Sequence, residues 1–301
     1  MEKVIIIVGA TATKKSYLAM EISKLFDTEI ISADAFQIYK ELNIGINKPS
    51  IENLSNVKHH FVNEKNIDDD WNIKIFQELA TKKISKIIKN NKIPIICGGS
   101  NLYIDALIKG YDLKDNISRN EIDIFDNKTN QELFDYIFEN DQDLLEKINI
   151  NNRKRLIRAC QLIFSNKSSL VPNKNNSDEY IYDVLIIHTV RDREELYRVI
   201  NNRTDIMIQN NWKEEVEALF LKYPNINELN SFRAIGYDIV LNSIVNKTNI
   251  DIEKIKQKTR NLAKKQLTWI NNKTKVDIEF NIDKDNINLI IDKVNEFVKR
   301  K

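Results

Sequence analysis

Short apolar runs and helical repeats alternate along the first third of the chain. The run 3–8 is rich in β-branched residues and ends at Gly9, which is typical of a buried strand in a parallel sheet. Apolar residues then recur at helical spacing over 16–26, so the chain begins with a strand, a tight loop and a helix. The same patterns predict a strand at 29–33, a helix at 73–87 and a strand at 93–97. This alternation predicts an α/β fold with a parallel sheet.

The pattern changes near residue 118. Strand signals disappear until residue 183, and helical stretches at 130–138 and 153–164 precede a polar loop. We interpret 118–183 as a small helical insertion into a core formed by 1–117 and 184–301. The core resumes with a buried strand at 184–190, helices at 194–209, 212–222 and 252–271, and a candidate last strand at 276–282.

Composition narrows the class of protein. The 301 residues include 46 Lys and Arg against 44 Asp and Glu, a net charge of +2. This balance excludes a protein that holds nucleic acid by bulk charge, although a local basic groove remains open. With 42% apolar residues, the chain can bury a substantial core. No run approaches the roughly 18–20 apolar residues of a membrane span, so we expect no membrane association.

The two cysteines, Cys97 and Cys160, lie far apart in the sequence. They form neither a disulfide framework nor the paired spacing of a metal knuckle. We therefore expect a protein of the reducing cytoplasm.

A candidate phosphate loop joins the first strand to the first helix. A loop between a buried strand and a helix is the setting that the Walker A pattern G-x-x-x-x-G-K-[ST] requires. The residues at these positions are Gly9, Ala10, Thr11, Ala12, Thr13, Lys14, Lys15 and Ser16. Backbone amides and the helix N-terminus would hold the anion, Lys15 would reach the terminal phosphate and Ser16 would hold Mg²⁺. Lys14 stands where the pattern has its second glycine, which could cost about 1 kcal/mol or block the site. A plain strand-to-helix turn is the alternative.

A carboxylate follows the second predicted strand. Asp34 comes directly after the apolar run, at the edge where open α/β sheets bind ligands. There it could bind magnesium or act as a general base. The alternative is a helix N-cap.

Eight segments, in order along the chain, resemble the motifs of the tRNA dimethylallyltransferase family, also called tRNA isopentenyltransferases. They are GATATKKS (9–16), ISADAFQIY (31–39), GINKP (45–49), KHH (58–60), CGGSNLY (97–103), the arginine-bearing segment 151–159, RAIGY (233–237) and TRNLAKKQLTWI (259–270). Each is weak alone, but together they span nearly the whole chain.

The resemblance implies a P-loop NTPase-like parallel sheet flanked by helices, with an inserted small helical domain. It also implies transfer of a dimethylallyl (isopentenyl) group from dimethylallyl diphosphate to the exocyclic amine of the adenosine 3′-adjacent to the anticodon in tRNA. The phosphate loop would bind the diphosphate, with Mg²⁺ as the cofactor and Ser16 as its ligand. Asp34 matches the family's general base, and Thr11 matches the hydroxyl that helps hold amine and diphosphate. We expect a cytoplasmic monomer.

Contacts with the tRNA anticodon stem-loop follow from the same resemblance. The matching positions are Asp34, Ala35, Phe36, Gln37, Ser100, Arg119, Lys154, Arg155, Arg158, Arg233, Gly236 and Tyr237. Arg155 and Arg158 share one face of the predicted insertion helix, as phosphate contacts require.

Departures from the family pattern cluster in the donor segments and keep alternatives open. Lys14 replaces the loop glycine, Ala35 replaces a serine, and Ile46 and Asn47 replace Thr-Ala. One alternative is therefore a tRNA-binding relative with weak or lost transferase activity. A P-loop nucleotide kinase or an adenylate isopentenyltransferase would share the loop, but the tRNA-side segments favour neither.

Overall fold

A single parallel sheet organises the computed structural model, which describes residues 1–113, 123–165 and 179–300. Within these residues the strands are β1 (Lys3–Gly9), β2 (Ile30–Ser32), β3 (His59–His60), β4 (Ile95–Gly98), β5 (Asp183–Val190) and β6 (Ile278–Asn281). Their order is β3-β2-β4-β1-β5-β6, and every neighbouring pair is parallel. The predicted α/β fold with a parallel sheet is confirmed.

Helices connect and cover these strands. They are α1 (Lys15–Leu25), α2 (Ile51–Asn56), α3 (Ile73–Lys89), α4 (Asn101–Lys109), α5 (Asn130–Asn140), α6 (Gln142–Lys147), α7 (Arg153–Phe164), α8 (Arg193–Gln209), α9 (Trp212–Lys222), α10 (Tyr237–Val245), α11 (Ile252–Lys273) and α12 (Ile287–Lys299). Short 3-10 segments lie at Asp123–Phe125, Ile226–Glu228 and Asn230–Arg233. No helix in the described ranges is long and apolar enough to cross a membrane.

Strand β1 lies in the middle of the sheet because its residues are apolar on both faces. Residues 4–8 are at most 1% exposed, and Ile5 is in register with Ile95 of β4 and Leu185 of β5. A continuous β-branched run suits such a position, since both faces are covered by helices. The phosphate loop is thereby fixed to the end of a buried strand near the middle of the sheet.

The chain divides into two compact units. One consists of Met1–Ile108 with Ile181–Lys301, and the other of Lys109–Tyr180. The smaller unit has its own apolar core, in which Leu133, Leu156 and Cys160 are at most 1% exposed. Its helix α5 begins with a reciprocal capping box between Thr129 and Glu132, which satisfies backbone donors of the first turn.

Candidate active site

The carboxyl ends of β1, β2, β4 and β5 surround a cavity of about 420 Å³. All residues that line it belong to the larger unit. β1 and β5 are neighbours, but the chain leaves β1 toward β2 and leaves β5 toward β6, on opposite sides. Open α/β sheets bind ligands at such a switch point. The volume also lies within the roughly 300–1,000 Å³ of small-molecule sites.

The phosphate loop forms one wall of this cavity and accommodates the lysine that replaces its glycine. Lys14 has φ 54° and ψ 26°, the left-handed conformation that glycine adopts without strain. It directly precedes α1, its side chain is exposed, and it makes no side-chain cap hydrogen bond. Ala12 is also left-handed, with φ 68°. The loop therefore has the backbone turn of the glycine pattern, at a cost of about 1 kcal/mol for each such residue.

Lys15 and Ser16 lie at the start of α1, and both line the cavity. The Lys15 ammonium donates a 3.3 Å hydrogen bond to the carbonyl of Ala10. Burial lowers the pKa of Lys15, and the nearby charge of Asp34 acts in the opposite direction. The lysine is thus held inside the cavity, where a bound anion would favour its charged form.

Thr11 is fixed by two side chains that come from distant parts of the chain. Its hydroxyl accepts a 2.7 Å hydrogen bond from Nη2 of Arg203. Its backbone N–H donates at 2.9 Å to Oε1 of Gln266, whose Nε2 donates at 3.0 Å to the carbonyl of Gly99. Gln266 therefore joins the phosphate loop to the turn after β4.

Arg203 is a cavity residue that the motif comparison missed. It lies on α8 among Ile200, Thr204 and Met207, which are all buried, so an arginine interrupts the apolar face of the helix. Burial lowers the pKa of Arg203, while the charge of Asp34 raises it, and its Nε is buried without a partner among the described residues. An arginine in an apolar helical stripe was the available sequence signal, because burying that charge needs a compensating partner.

Asp34 lies at the cavity where β2 ends. Its Oδ1 accepts hydrogen bonds from the backbone N–H groups of Phe36 at 2.9 Å and Gln37 at 3.3 Å. The carboxylate thus stabilises a turn and does not cap a helix, because residues 35–38 are not helical. Its second oxygen has no protein hydrogen bond among the described residues, which leaves that atom for substrate.

The segment after Asp34 follows the cavity rim. Ala35, Phe36 and Gln37 are all partly exposed, and the last two line the cavity. Gln37 is fixed by a 3.0 Å hydrogen bond from the Ser32 hydroxyl and by its own donation to the carbonyl of Asn47 at 3.3 Å.

The end of β4 and the turn after it lie close to Ala33, the residue that follows β2. A Cβ on Gly98 would lie 2.0 Å from the carbonyl oxygen of Ala33. Ser100 follows this turn, and its N–H donates to the same carbonyl at 3.2 Å. It precedes α4 and is partly exposed, two residues beyond the cavity-lining Gly98.

Another wall of the cavity is apolar. Side chains from α8, α9, α11 and the segment before α10 contribute, namely Val199, Met207, Trp212, Ile235, Ile255 and Leu262. A cavity with cations at one wall and apolar side chains at another suits a ligand with an anionic head and a hydrocarbon tail.

The RAIGY segment separates into an exposed and a buried part. Arg233 is exposed, whereas Gly236 and Tyr237 are buried. Gly236 has φ 95°, and a Cβ there would lie 2.2 Å from the Trp212 ring. The Tyr237 hydroxyl donates at 2.7 Å to Glu215, and its ring packs edge-on against Trp212. Only Arg233 of these three predicted contacts offers a side chain at the surface.

The predicted arginines of the smaller unit lie on α7. Lys154 and Arg155 are exposed, and Arg158 is half-buried, which lowers its pKa. Arg153 instead donates to the carbonyl of Asp126 at 2.7 Å and to Asn130 at 2.9 Å. Arg119 lies outside the described residues.

Comparisons with known proteins agree with this geometry. The family model described as IPP transferase matches residues 37–273. The chain is 44% identical to a tRNA dimethylallyltransferase of Malacoplasma penetrans, over 100% of this chain and 99% of the relative. It is 37% identical to a tRNA dimethylallyltransferase of Mycoplasmoides gallisepticum, with 99% and 97% covered. A solved structure, the tRNA isopentenylpyrophosphate transferase of Bacillus halodurans, has a TM-score of 0.74 at 29% identity, with 99% and 97% covered.

Proposed function

The chain belongs to the tRNA dimethylallyltransferase (IPP transferase) family, and on that premise we propose that its cavity transfers a dimethylallyl group from dimethylallyl diphosphate to tRNA. The acceptor is the exocyclic amine of the adenosine 3′-adjacent to the anticodon. One observation carries the proposal: a single cavity joins the phosphate loop, the carboxylate of Asp34 and an apolar wall. Each of the three serves a different part of the reaction.

The diphosphate would bind at the phosphate loop. Amides at the start of α1, the Lys15 ammonium and the half-buried Arg203 guanidinium offer positive partners. As the bond between the prenyl carbon and oxygen breaks, negative charge grows on the leaving diphosphate. Fixed positive groups in a partly dry cavity stabilise that charge more than water does. Thr11, held by Arg203, presents its hydroxyl at the same wall.

The dimethylallyl tail would contact the apolar wall. Side chains such as Met207, Ile255 and Leu262 exclude water from the reacting carbon. Exclusion of water matters because water would otherwise compete with the amine and hydrolyse the donor.

Asp34 would act as the general base. The new bond forms between the adenine nitrogen and the first carbon of the dimethylallyl group, while the carbon–oxygen bond to diphosphate breaks. The amine proton passes to the carboxylate oxygen of Asp34 that has no protein hydrogen bond, while Oδ1 stays bound to the turn. The target adenosine must leave its stack to reach this carboxylate.

The cavity offers an oxygen ligand for Mg²⁺, the hydroxyl of Ser16, which lines it. The described residues contain no cluster of three His, Cys, Asp or Glu that could hold a metal alone. Mg²⁺ is often held by one or two protein oxygens together with substrate phosphates, and this donor set matches that pattern. When bound together with the donor, Mg²⁺ would neutralise part of the negative charge of the diphosphate.

Exposed basic residues would position the tRNA. Lys154 and Arg155 on α7 and Arg233 in the larger unit are exposed cations, and tRNA phosphates are their natural partners. Such contacts set the register of the RNA, while Phe36 and Gln37 border the cavity where the base would enter. The enzyme would act in the cytoplasm, where tRNA is found.

The test measures transfer of labelled dimethylallyl from its diphosphate with Mg²⁺ to unmodified tRNA and, separately, to AMP. A third reaction contains ATP and a nucleoside monophosphate, and it measures ATP hydrolysis and phosphoryl transfer to the monophosphate. We expect label in tRNA only. Label in AMP would support the adenylate isopentenyltransferase alternative, and phosphoryl transfer from ATP would support the kinase. Bound tRNA without label would support a binding protein that has lost the activity.

A further inference from the structure

An ion pair links the segments that follow β5 and β6. Arg191 donates two hydrogen bonds to Asp283, from Nε at 2.6 Å and from Nη2 at 2.7 Å. The arginine side chain is 2% exposed and the aspartate 33%. This is the bidentate geometry that a planar guanidinium and a carboxylate favour. The hydrogen bonds with Arg191 lower the pKa of Asp283, so this carboxylate is ionised at neutral pH.

The third nitrogen of Arg191 contacts the phosphate loop. Nη1 donates a 2.9 Å hydrogen bond to the carbonyl of Ala12. A trans peptide directs its carbonyl and its N–H to opposite sides. The N–H of that peptide belongs to Thr13 and points to the carbonyl of Ala10, at 3.4 Å. The peptide between Ala12 and Thr13 is therefore held at both ends.

This peptide lies in the strained part of the loop. Ala12 and Lys14 are both left-handed although neither is glycine. Such residues persist only where the surroundings fix the backbone more firmly than local preference does. Arg191 supplies that constraint from outside the loop, and Asp283 fixes Arg191 by occupying its other two nitrogens.

We propose that Arg191 and Asp283 are positioning residues for the phosphate loop. They hold the peptide between Ala12 and Thr13 in one orientation, so that the loop amides are arranged before the donor binds. This inference rests on the proposed function for its kinetic readout. The neighbouring pair, Lys284 with Asp192, has the same chemistry at 2.7 Å but is 61% exposed on both sides, which makes it a matched control.

The experiment compares two double variants. Arg191→Met with Asp283→Asn removes the pair without leaving a buried unpaired charge, and Lys284→Met with Asp192→Asn removes the control pair. We expect the first to raise the KM for dimethylallyl diphosphate about tenfold, with kcat nearly unchanged, since the loss is in ground-state binding. The Kd for inorganic diphosphate, measured by calorimetry, rises by the same factor. The control leaves both constants at their wild-type values.

Arg191→Lys keeps a positive charge beside Asp283 but replaces the planar fork that reaches Ala12. We expect a raised KM with a melting temperature close to that of wild type, which a merely structural pair would not give. Equal KM and Kd values for the first double variant and the control would overturn the inference. If wild type transfers no label, the proposed function fails, while the diphosphate titration still tests the pair.

Discussion

Arg203 and Thr11 are separated by 192 residues in sequence, yet the guanidinium donates a 2.7 Å hydrogen bond to the hydroxyl. The bond connects α8 to the phosphate loop at the wall of the cavity. Arg203 also lines that cavity, so its guanidinium lies beside the space where a substrate would bind. Burying the charge of an arginine costs folding free energy. We therefore assign Arg203 a role in binding the diphosphate and not in stabilising the fold.

Replacing Arg203 with Met should therefore lower kcat/KM by about 10²–10³, the usual cost of losing one fixed donor to a developing anion. Arg198→Met is the control, because Arg198 lies on the same helix, is 63% exposed and pairs with Glu195. Steady-state transfer to tRNA with both variants checks this. Equal rates for the two variants would contradict a role for Arg203 at the diphosphate.

Lys14→Gly should stabilise the protein by about 0.5–1 kcal/mol, because glycine adopts the left-handed backbone without strain. Asn211→Gly is the matched control. Asn211 also precedes a helix, with φ 64° and no side-chain cap hydrogen bond, but asparagine tolerates this conformation. Urea unfolding of both variants measures the difference. A loss of stability in Lys14→Gly would mean that the lysine side chain contributes more than its backbone costs.

Tyr237→Phe should destabilise the protein by about 1–3 kcal/mol, since it removes the hydrogen bond to the carboxylate of the half-buried Glu215. The affinity for tRNA should stay unchanged, because the tyrosine is 0% exposed.

Arg233→Ala should weaken tRNA binding and have little effect on the stability of the fold. Filter binding of tRNA and urea unfolding separate the two effects. Weaker tRNA binding by folded Tyr237→Phe would contradict the structural role given to the ring.

Both cysteines should be unreactive in the folded protein. Burial raises the pKa of Cys97 and of Cys160 to about 11, so each is a neutral thiol at about pH 8. The expected result with Ellman's reagent is little colour in the native state and release from both cysteines after unfolding in guanidinium chloride. Rapid reaction of one native thiol at that pH would contradict this account of burial.

Local patterns made the central features of the fold predictable. The β-branched run of β1 and the loop motif after it are short-range signals, and the structure has both where the sequence predicts them. Strand β3 was missed because its two residues are too few for periodicity. Helix α12 was missed although Ile290, Val294 and Phe297 follow a helical period.

Long-range contacts explain what the sequence did not reveal at the site. Arg203, Gln266 and Arg191 all reach the phosphate loop from more than 170 residues away. A local pattern can single out such a residue, as the apolar stripe around Arg203 does, but it does not identify the partner. A motif match also does not distinguish an exposed residue that contacts tRNA from a buried residue that stabilises the fold. Tyr237 matches the RAIGY motif, but its ring lies in the core.

The most direct test of the account is transfer of labelled dimethylallyl to unmodified tRNA by wild type and by Asp34→Asn. Asparagine keeps the oxygen that accepts from Phe36 and Gln37, so the turn remains, but it cannot take a proton. We predict transfer by wild type and a kcat lower by about 10²–10⁴ in the variant, with donor binding unchanged. An unchanged kcat in Asp34→Asn, or no transfer by wild type, would contradict the account.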